Sequence, residues 1–197
     1  MRSGRPREFD IDAALGIALE VFWAKGYEGA SMADLTQAMG INRPSLYAAF
    51  GNKEQLFLKA LDLYAGEFHS AASGFAQETT ARAAIEAFLR ATALLCTGPA
   101  TPKGCLLVQG ALAVGNASES IREELAARRA AVLDAIQQRL RQGVEEGDLP
   151  RGTDAAALAR YVMVTNHGIA VQAAGGATRD ELLQCVDIAM RAWPATH

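Results

Sequence analysis

The chain has 197 residues, of which 50% are hydrophobic and 21% charged, and its formal net charge is −3. This composition suffices for a sizeable core, in one large domain or in a small and a larger one, and it lacks the basic excess of a strong nonspecific nucleic-acid binder. The start of the chain contains no apolar run, and the most apolar stretch, residues 105–115, is too short to span a bilayer. Three cysteines without disulfide or zinc spacing favour a reducing compartment. We therefore expect a cytoplasmic protein with no membrane partner.

The hydrophobic pattern predicts an all-α fold of about nine helices, because every strong period is helical and none alternates as a half-buried strand does. Helix 1 is predicted over about residues 11–25. Gly26 ends it, since glycine tolerates the positive φ at which helices stop. The residues predicted to face inward from helix 1 are Ile11, Ala14, Leu15, Ala18, Val21 and Phe22.

Two short helices joined by a tight turn are predicted between residues 31 and 50. Ser31 and Asp34 have capping-box spacing at the start of the first helix, and Gly40 stands where that helix must stop. Asn42 can cap the second helix, and Pro44 is tolerated in its first turn because amides there lack intrahelical partners. The polar residues near the start of the second helix are Arg43, Ser45 and Tyr47. This pattern is typical of a helix-turn-helix that reads DNA, although a plain helical hairpin in a bundle shares some of its features.

The positions of the basic residues say more about DNA binding than the net charge does. Arg5 lies in a short basic arm that Gly4 and Pro6 keep out of a helix. Arg43 heads the second short helix, where it can pair with guanine O6 and N7 or with a phosphate, and Ser45 can reach a base or a phosphate. Lys53 opens the next helix, whose free amides can help it to hold a phosphate, although an ordinary solvated lysine is a serious alternative.

Residues 4–64 resemble the DNA-binding half of the TetR-type bacterial transcriptional regulators. The ordered set that carries the resemblance is Lys25-Gly26-Tyr27, Ser31-Met32, Gly40-Ile41, Ser45-Leu46-Tyr47, Phe50, Lys53-Glu54 and Leu56-Phe57. The resemblance implies a helix-turn-helix DNA-binding domain over residues 1–52 and a larger helical domain for ligand binding and dimerisation over residues 53–197. It favours DNA binding over a plain hairpin, with Tyr47 on the DNA backbone and Tyr27 packed between helices. The predicted DNA-binding residues are Arg5, Ser31, Arg43, Pro44, Ser45, Tyr47 and Lys53.

Six further helices are predicted after the helix-turn-helix. Helix 4 is expected to pack on the DNA-binding unit and then to continue into the larger half, so it connects the two. Glycines, prolines and a second capping box, at Thr178 and Glu181, mark several of the ends. The predicted spans are about 53–73, 81–96, 105–114, 118–146, 153–174 and 178–194.

The resemblance also implies an apolar effector cavity among helices 4 to 8, and a homodimer formed by the last two helices. A two-fold dimer suits a palindromic operator because the two symmetries then match. The alternative is that the apolar faces of the last two helices only close the core of one protomer. Leu182 and Val186 are the residues chosen to test this interface. If they lie at it, charged substitutions there should yield folded monomers. The predicted effector-binding residues are Phe68, Phe88, Leu95, Leu107, Val108, Leu112, Met163 and His167.

No metal site, cofactor or catalytic site is predicted. The cysteines and histidines lack ligand spacing, and no nucleophile elbow, phosphate loop or dinucleotide fingerprint is present. The segment Gly104-Cys105-Leu106 resembles a branch of the TetR family in which a cysteine of helix 6 senses electrophiles or oxidants, and Lys103 nearby would favour the reactive thiolate. The favoured interpretation of Cys105 is nevertheless a buried, small apolar side chain.

The sequence thus predicts a homodimeric repressor that binds an inverted repeat in double-stranded DNA and is released by a small apolar or amphipathic effector. An activator and a thiol-based sensor acting through Cys105 remain alternatives. A small helical enzyme or binding module that has lost DNA binding is a third. The presence of Arg43, Tyr47 and Lys53 argues against the last of these.

Overall fold

The computed structural model describes residues 9–71, 78–99, 101–113 and 119–194, without the side chains of residues 67–71 and 110–113. The all-α prediction is confirmed, and the described residues form nine helices and no strand. The helices are α1 (Ile11–Gly29), α2 (Met32–Met39), α3 (Arg43–Phe50), α4 (Lys53–Ala71), α5 (Ala81–Cys96), α6 (Leu106–Ala113), α7 (Glu119–Glu145), α8 (Ala155–Ala174) and α9 (Arg179–Arg191).

The ends of α2 and α3 are set by local side-chain hydrogen bonds. The Asp34 amide donates to Ser31 Oγ at 3.0 Å, and the Ser31 amide donates to Asp34 Oδ2 at 2.9 Å, which is the predicted capping box. Gly40 closes α2 in the left-handed conformation with φ of 66°. The Ser45 amide donates to Asn42 Oδ1 at 2.8 Å at the start of α3. These contacts place α3 in a fixed direction immediately after the turn.

The face that α1 presents to the core contains most of the predicted residues, with Ala14, Ala18 and Phe22 buried, but it also extends to residues that were not predicted. The backbone breaks at Gly26 (φ 69°), as predicted, although one further turn continues to Gly29. Ile11, predicted to face inward, is 53% exposed, whereas Leu19 and Trp23 are buried. The reason is that α1 packs against both α4 and α6, so its buried stripe is turned toward residues 19 and 23.

The DNA-binding unit is held together by a cluster of aromatic rings between α1 and the first turns of α4. Phe57 is completely buried, with its ring centroid 4.9 Å from that of Phe22 in an edge-on arrangement and 5.0 Å from that of Tyr27. Further along the same two helices, the rings of Trp23 and Tyr64 meet edge-on at 4.9 Å. Helix α4 therefore belongs to the packing of both halves of the molecule.

In the larger half, α8 packs against α5 and α7, and α9 packs against α5. Leu182 and Val186 are 2% and 0% exposed in the single protomer. The expectation that these two residues lie at a dimer interface is therefore wrong, because α9 turns them into the core of its own chain. For these positions the alternative interpretation, closure of the protomer core, is correct.

Candidate DNA-binding surface and internal cavity

The N-terminus of α3 is open to solvent. Arg43, at the first position of the helix, is exposed, as is Pro44 beside it. No carboxylate among the described residues forms an ion pair with Arg43. Ser45 is half-buried, and Tyr47, one turn further on, is 51% exposed. Buried Leu46 and Phe50 anchor the opposite face of α3. This short helix therefore projects a cation, a hydroxyl and a phenol from a fixed base.

Lys53 lies in the first turn of α4, and its position is more restricted than that of a solvated lysine. Its ammonium lies 4.4 Å above the centroid of the Tyr27 ring. Burial lowers the pKa of Lys53, and the charge of Glu28 acts in the opposite direction. Tyr27 is 9% exposed and packs between helices, as predicted, so it serves as a support for the lysine.

The start of α4 has a reciprocal cap between Asn52 and Gln55. The Gln55 amide donates to Asn52 Oδ1 at 2.8 Å, and Gln55 Oε1 accepts from the Asn52 amide at 3.0 Å. The first backbone bond of the helix runs from the Leu56 amide to the Asn52 carbonyl at 3.0 Å. The amides of Lys53 and Glu54 precede that bond, so they remain available to an anion. The signal in the sequence is Asn followed three residues later by Gln.

Ser31 is exposed and its hydroxyl is engaged with Asp34, to which it donates at 2.6 Å while accepting from the Asp34 amide. Lys25 Nζ lies 2.6 Å from Asp34 Oδ1. These hydrogen bonds, from Lys25 first and then from Ser31, hold the pKa of Asp34 well below its usual range. Ser31 therefore orients α2 whether or not it reaches DNA. Arg5 lies outside the described residues.

A cavity of about 230 Å³ lies among α4, α5, α6, α7 and α8. Five of the predicted effector-binding residues line it, namely Phe88, Leu107, Val108, Met163 and His167. Leu95 does not line it; among the α5 residues, Phe88 and Thr92 do, and Leu95 lies one helical turn after Thr92, about 4.5 Å further along the axis. The side chains of Phe68 and Leu112 lie outside the described residues.

Cys105 borders the cavity immediately before α6. Its side chain is 8% exposed, and its sulfur accepts a hydrogen bond from Tyr64 Oη at 3.2 Å. Burial raises the pKa of Tyr64 well above its ordinary value, so the phenol keeps the proton that it donates. Burial also raises the pKa of the neighbouring Cys96 thiol to about 12. Cys105 is thus buried from bulk solvent, as the favoured interpretation held, yet it faces an internal space.

Several polar groups also line the cavity. Thr92 Oγ1 and Asn166 Oδ1 are 2.7 Å apart, and both residues are buried. Arg128, Arg129 and His167 also line this space, and sequence analysis had identified only His167 among the five polar residues. The pKa of His167 is lowered by burial first and then by the positive charge of Arg129. The cavity is therefore apolar over most of its wall and cationic at one place.

A short series of contacts connects this cavity with the DNA-binding unit. Tyr64 lines the cavity and hydrogen-bonds to Cys105 there, while its ring meets that of Trp23 on α1. Helices α1 and α6 also touch directly. A displacement of α4 at Tyr64 would consequently disturb α1, against which α2 and α4 pack.

In the parts of the chain that the structure covers, no helix combines the length and apolar character needed to cross a bilayer. Within the same residues, no group of three or more histidine, cysteine or acidic side chains is arranged to hold a metal ion.

Comparison with known proteins identifies the family. The model for bacterial regulatory proteins of the tetR family matches residues 15–60, and the model for the tetracyclin repressor-like C-terminal domain matches residues 81–191. The transcriptional repressor ComR of Escherichia coli strain K12 is 36% identical over 97% of this chain and 92% of its own length. A cysteine-substituted variant of the TetR-family regulator CifR, solved with 26-bp operator DNA, is 43% identical with a TM-score of 0.92, covering 97% of this chain and 100% of that chain. A TetR regulator from Rhodococcus sp. RHA1 is 40% identical with a TM-score of 0.65, covering 93% and 98%. The chain therefore belongs to the TetR family and is a DNA-binding transcriptional regulator, not an enzyme.

Proposed function

We propose that the chain is a homodimeric repressor that binds an inverted-repeat operator and is released by a small apolar or amphipathic effector. The exposed N-terminus of α3, with Arg43 free of ion pairs within the described residues, is the observation that carries the proposal. ComR is a repressor, and the CifR variant was solved on operator DNA of 26 bp. Such a length accommodates two half-sites about one helical turn, roughly 10 bp, apart.

Each DNA-facing residue has a proposed role. Arg43 reads a base edge or binds a phosphate, and Ser45 supports it from the same turn. Tyr47 and Ser31 hydrogen-bond to the sugar-phosphate backbone. Pro44, in the first turn of α3, has no amide hydrogen that would need a partner there. The N-terminal arm that contains Arg5 adds an electrostatic contact.

Lys53 binds a phosphate together with the free amides at the start of α4. Support comes from its place above the Tyr27 ring, which holds the ammonium at the start of α4, next to those amides. In the proposed domain organisation, residues 1–52 form the DNA-binding domain, and residues 53–197 form the domain that binds the effector and forms the dimer.

The dimer interface is proposed on the exposed apolar residues of α8 and α9. Tyr161, Val164 and Val171 are 43%, 64% and 45% exposed. With the exposed Gly168 they are spaced by three, four and three residues along α8, which is the spacing of a seam between helices. Ile188 on α9 is 58% exposed. Large exposed apolar side chains that share one helix face favour burial against a second copy.

Release from DNA follows from a population shift between two states. An effector in the cavity contacts the wall that includes Tyr64, and it favours the arrangement of α4 that fits it best. Since Tyr64 meets Trp23 on α1, that arrangement changes the spacing of the two α3 helices in the dimer. The effector must bind the DNA-free state more tightly than the DNA-bound state for this to occur.

A second candidate function is supported by the position of Cys105 on the cavity wall. In this version the Cys105 thiolate attacks an electrophile that has entered the cavity. With N-ethylmaleimide, the sulfur forms a bond to one alkene carbon and the other alkene carbon takes a proton. Treatment should then release operator DNA from the wild type and from Cys185→Ser, in which only the exposed cysteine is removed, but not from Cys105→Ser. Slow labelling of Cys105 with DNA binding intact would exclude the thiol mechanism.

Footprinting on the DNA upstream of the gene tests the proposed function. We expect protection of an inverted repeat at low salt, with a dimer bound, and weaker protection as salt rises because phosphate contacts release counterions. Deletion of the gene should raise transcription from the protected promoter. Lower transcription after deletion would make the protein an activator, and no protection at low salt would contradict operator binding.

A further inference from the structure

The described residues that line the cavity carry positive charge and no negative charge. They include two arginines and one histidine but no aspartate or glutamate. The other polar lining residues, Tyr64, Thr92, Cys105 and Asn166, carry hydrogen-bonding groups but no carboxylate. A cationic group in an otherwise apolar space is costly unless an anion accompanies it. The charge of the cavity lining therefore indicates which kind of molecule the cavity binds.

The two arginines differ in how their charge is compensated. Arg128 Nη2 lies 2.5 Å from Asp62 Oδ1, and Arg128 Nε lies 2.7 Å from Glu124 Oε1. Arg129 Nη1 donates to the Leu107 carbonyl at 2.9 Å. No carboxylate within the described ranges lies within ion-pair distance of Arg129. Among the residues that the structure describes, carboxylates thus neutralise the charge of Arg128 but not that of Arg129.

The sequence of α7 explains this difference. Glu124 precedes Arg128 by four residues, which is the spacing of a helical ion pair. The positions three and four residues from Arg129 on both sides are all apolar: Leu125, Ala126, Val132 and Leu133. Arg129 therefore has no acidic partner on its own helix. It is half-buried, and burial lowers the pKa of its guanidinium, as expected for a charge that has lost part of its hydration.

We propose that the effector is a small monocarboxylate with a compact apolar body, and that Arg129 pairs with its carboxylate. This inference rests on the proposed function, because it names the chemical class that the cavity takes. A guanidinium has planar donors that match the two oxygens of a carboxylate. One Arg129 donor already serves Leu107, and the others remain for the ligand.

The rest of the cavity fits the body of such a molecule. Its volume of about 230 Å³ is below the roughly 300–1,000 Å³ of pockets for drug-sized ligands, so the ligand is small. Phe88, Val108 and Met163 supply apolar wall. His167 borders the same space as Arg129, and a bound carboxylate would offset the positive potential that Arg129 exerts on it. Asn166, buried beside Thr92, offers an amide for a second hydrogen bond.

Calorimetric titration of the DNA-free protein tests the proposal with two matched pairs of probes, hexanoate with hexanamide and benzoate with benzamide. We expect at least one acid to bind about tenfold or more tightly than its amide, since a charged hydrogen-bonded pair is worth more than a neutral one. Arg129→Gln should abolish the preference for the acid, and Arg129→Lys should retain part of it. Arg141→Gln, which removes an exposed arginine from the same helix outside the cavity, should leave it unchanged.

Equal binding of acid and amide by the wild type would overturn the proposal, as would the absence of binding by both acids. A preference for the acid that persists unchanged in Arg129→Gln would overturn it as well. The wild-type comparison needs no variant, so a folding defect in Arg129→Gln does not remove the test. The titration contains no DNA, and the footprint contains no ligand. Failure of the effector class and failure of operator binding are consequently separate results.

Discussion

The two halves of the molecule use their interior in opposite ways. In the DNA-binding unit, Phe22 and Phe57 meet in an interior where both are completely buried, so α1 and the start of α4 form a filled base for α3. In the larger half, five helices surround an unfilled space with the cation of Arg129 on its wall. A filled core fixes one geometry, whereas a hollow core leaves room for a second state that a ligand can stabilise. On the proposed function, the filled DNA-binding unit fixes the geometry that recognises DNA, and the larger half regulates DNA binding through its cavity.

Core substitutions should separate the two halves most strongly. Phe57→Ala removes a fully buried ring from the filled core and should lower the free energy of unfolding by about 3–5 kcal/mol. Val132→Ala, on the cavity wall, should cost at most about 1 kcal/mol because its methyl groups already border empty space. Urea unfolding followed by circular dichroism measures both. Similar costs for the two variants would contradict the distinction between filled and hollow halves.

The proposed interface predicts the next largest effect. Val164→Glu places a charge on the exposed stripe of α8 and should yield folded monomers, as measured by sedimentation velocity. Loss of the second half-site contact should then weaken operator binding by about 100-fold or more. Ile17→Glu, at a 37% exposed apolar residue of α1, is the control and should remain dimeric. A Val164→Glu protein that stays dimeric would place the interface elsewhere.

Two basic residues should distinguish sequence readout from phosphate binding. Arg43→Ala should weaken binding to the operator by about 1–3 kcal/mol and affect scrambled DNA less. Lys53→Ala should weaken both DNAs about equally and reduce the slope of affinity against salt by about 1. Fluorescence anisotropy at several salt concentrations gives both quantities. An equal loss on both DNAs with Arg43→Ala would show that this residue binds phosphate rather than a base.

The smallest expected effect concerns the cap of α2. Because the pKa of Asp34 is depressed in the folded state, its contribution to stability is present above about pH 4 and is lost as the pH falls below that value. The difference in melting temperature between the wild type and Asp34→Asn should therefore shrink between about pH 6 and pH 3. A difference that does not change with pH would assign the effect of Asp34 to hydrogen bonding alone.

Sequence predicts this fold best where the determinants are local. Ser31, Gly40 and Asn42 fix the ends of α2 and α3 through neighbours within a few residues, so those bounds were predicted correctly. Helical periodicity identifies an apolar stripe but not its partner. Ile11 was therefore placed inward, and Leu182 and Val186 were assigned to a dimer although they pack within the protomer.

The cavity shows the same limit. Periodicity selected Phe88, Met163 and His167, which line it, and also Leu95, which does not. Arg129 was missed because it resembles the other charged residues of a polar helix in sequence. The one signal was its lack of an acidic residue three or four positions away. The packing of four other helices decides which side of α7 faces the cavity, and no local sequence pattern encodes that packing.

Hydrogen exchange measured with and without operator DNA tests most directly whether the two halves are coupled. It needs no known effector. Coupling is reciprocal, so if the two halves are coupled, DNA binding must also change the region around the cavity. We expect operator binding to slow amide exchange in α2 and α3, and also in the cavity-lining turns of α4 around Tyr64 and of α7 around Arg129. Protection confined to residues 31–60, with the amides around the cavity unchanged, would contradict the coupling on which this account depends.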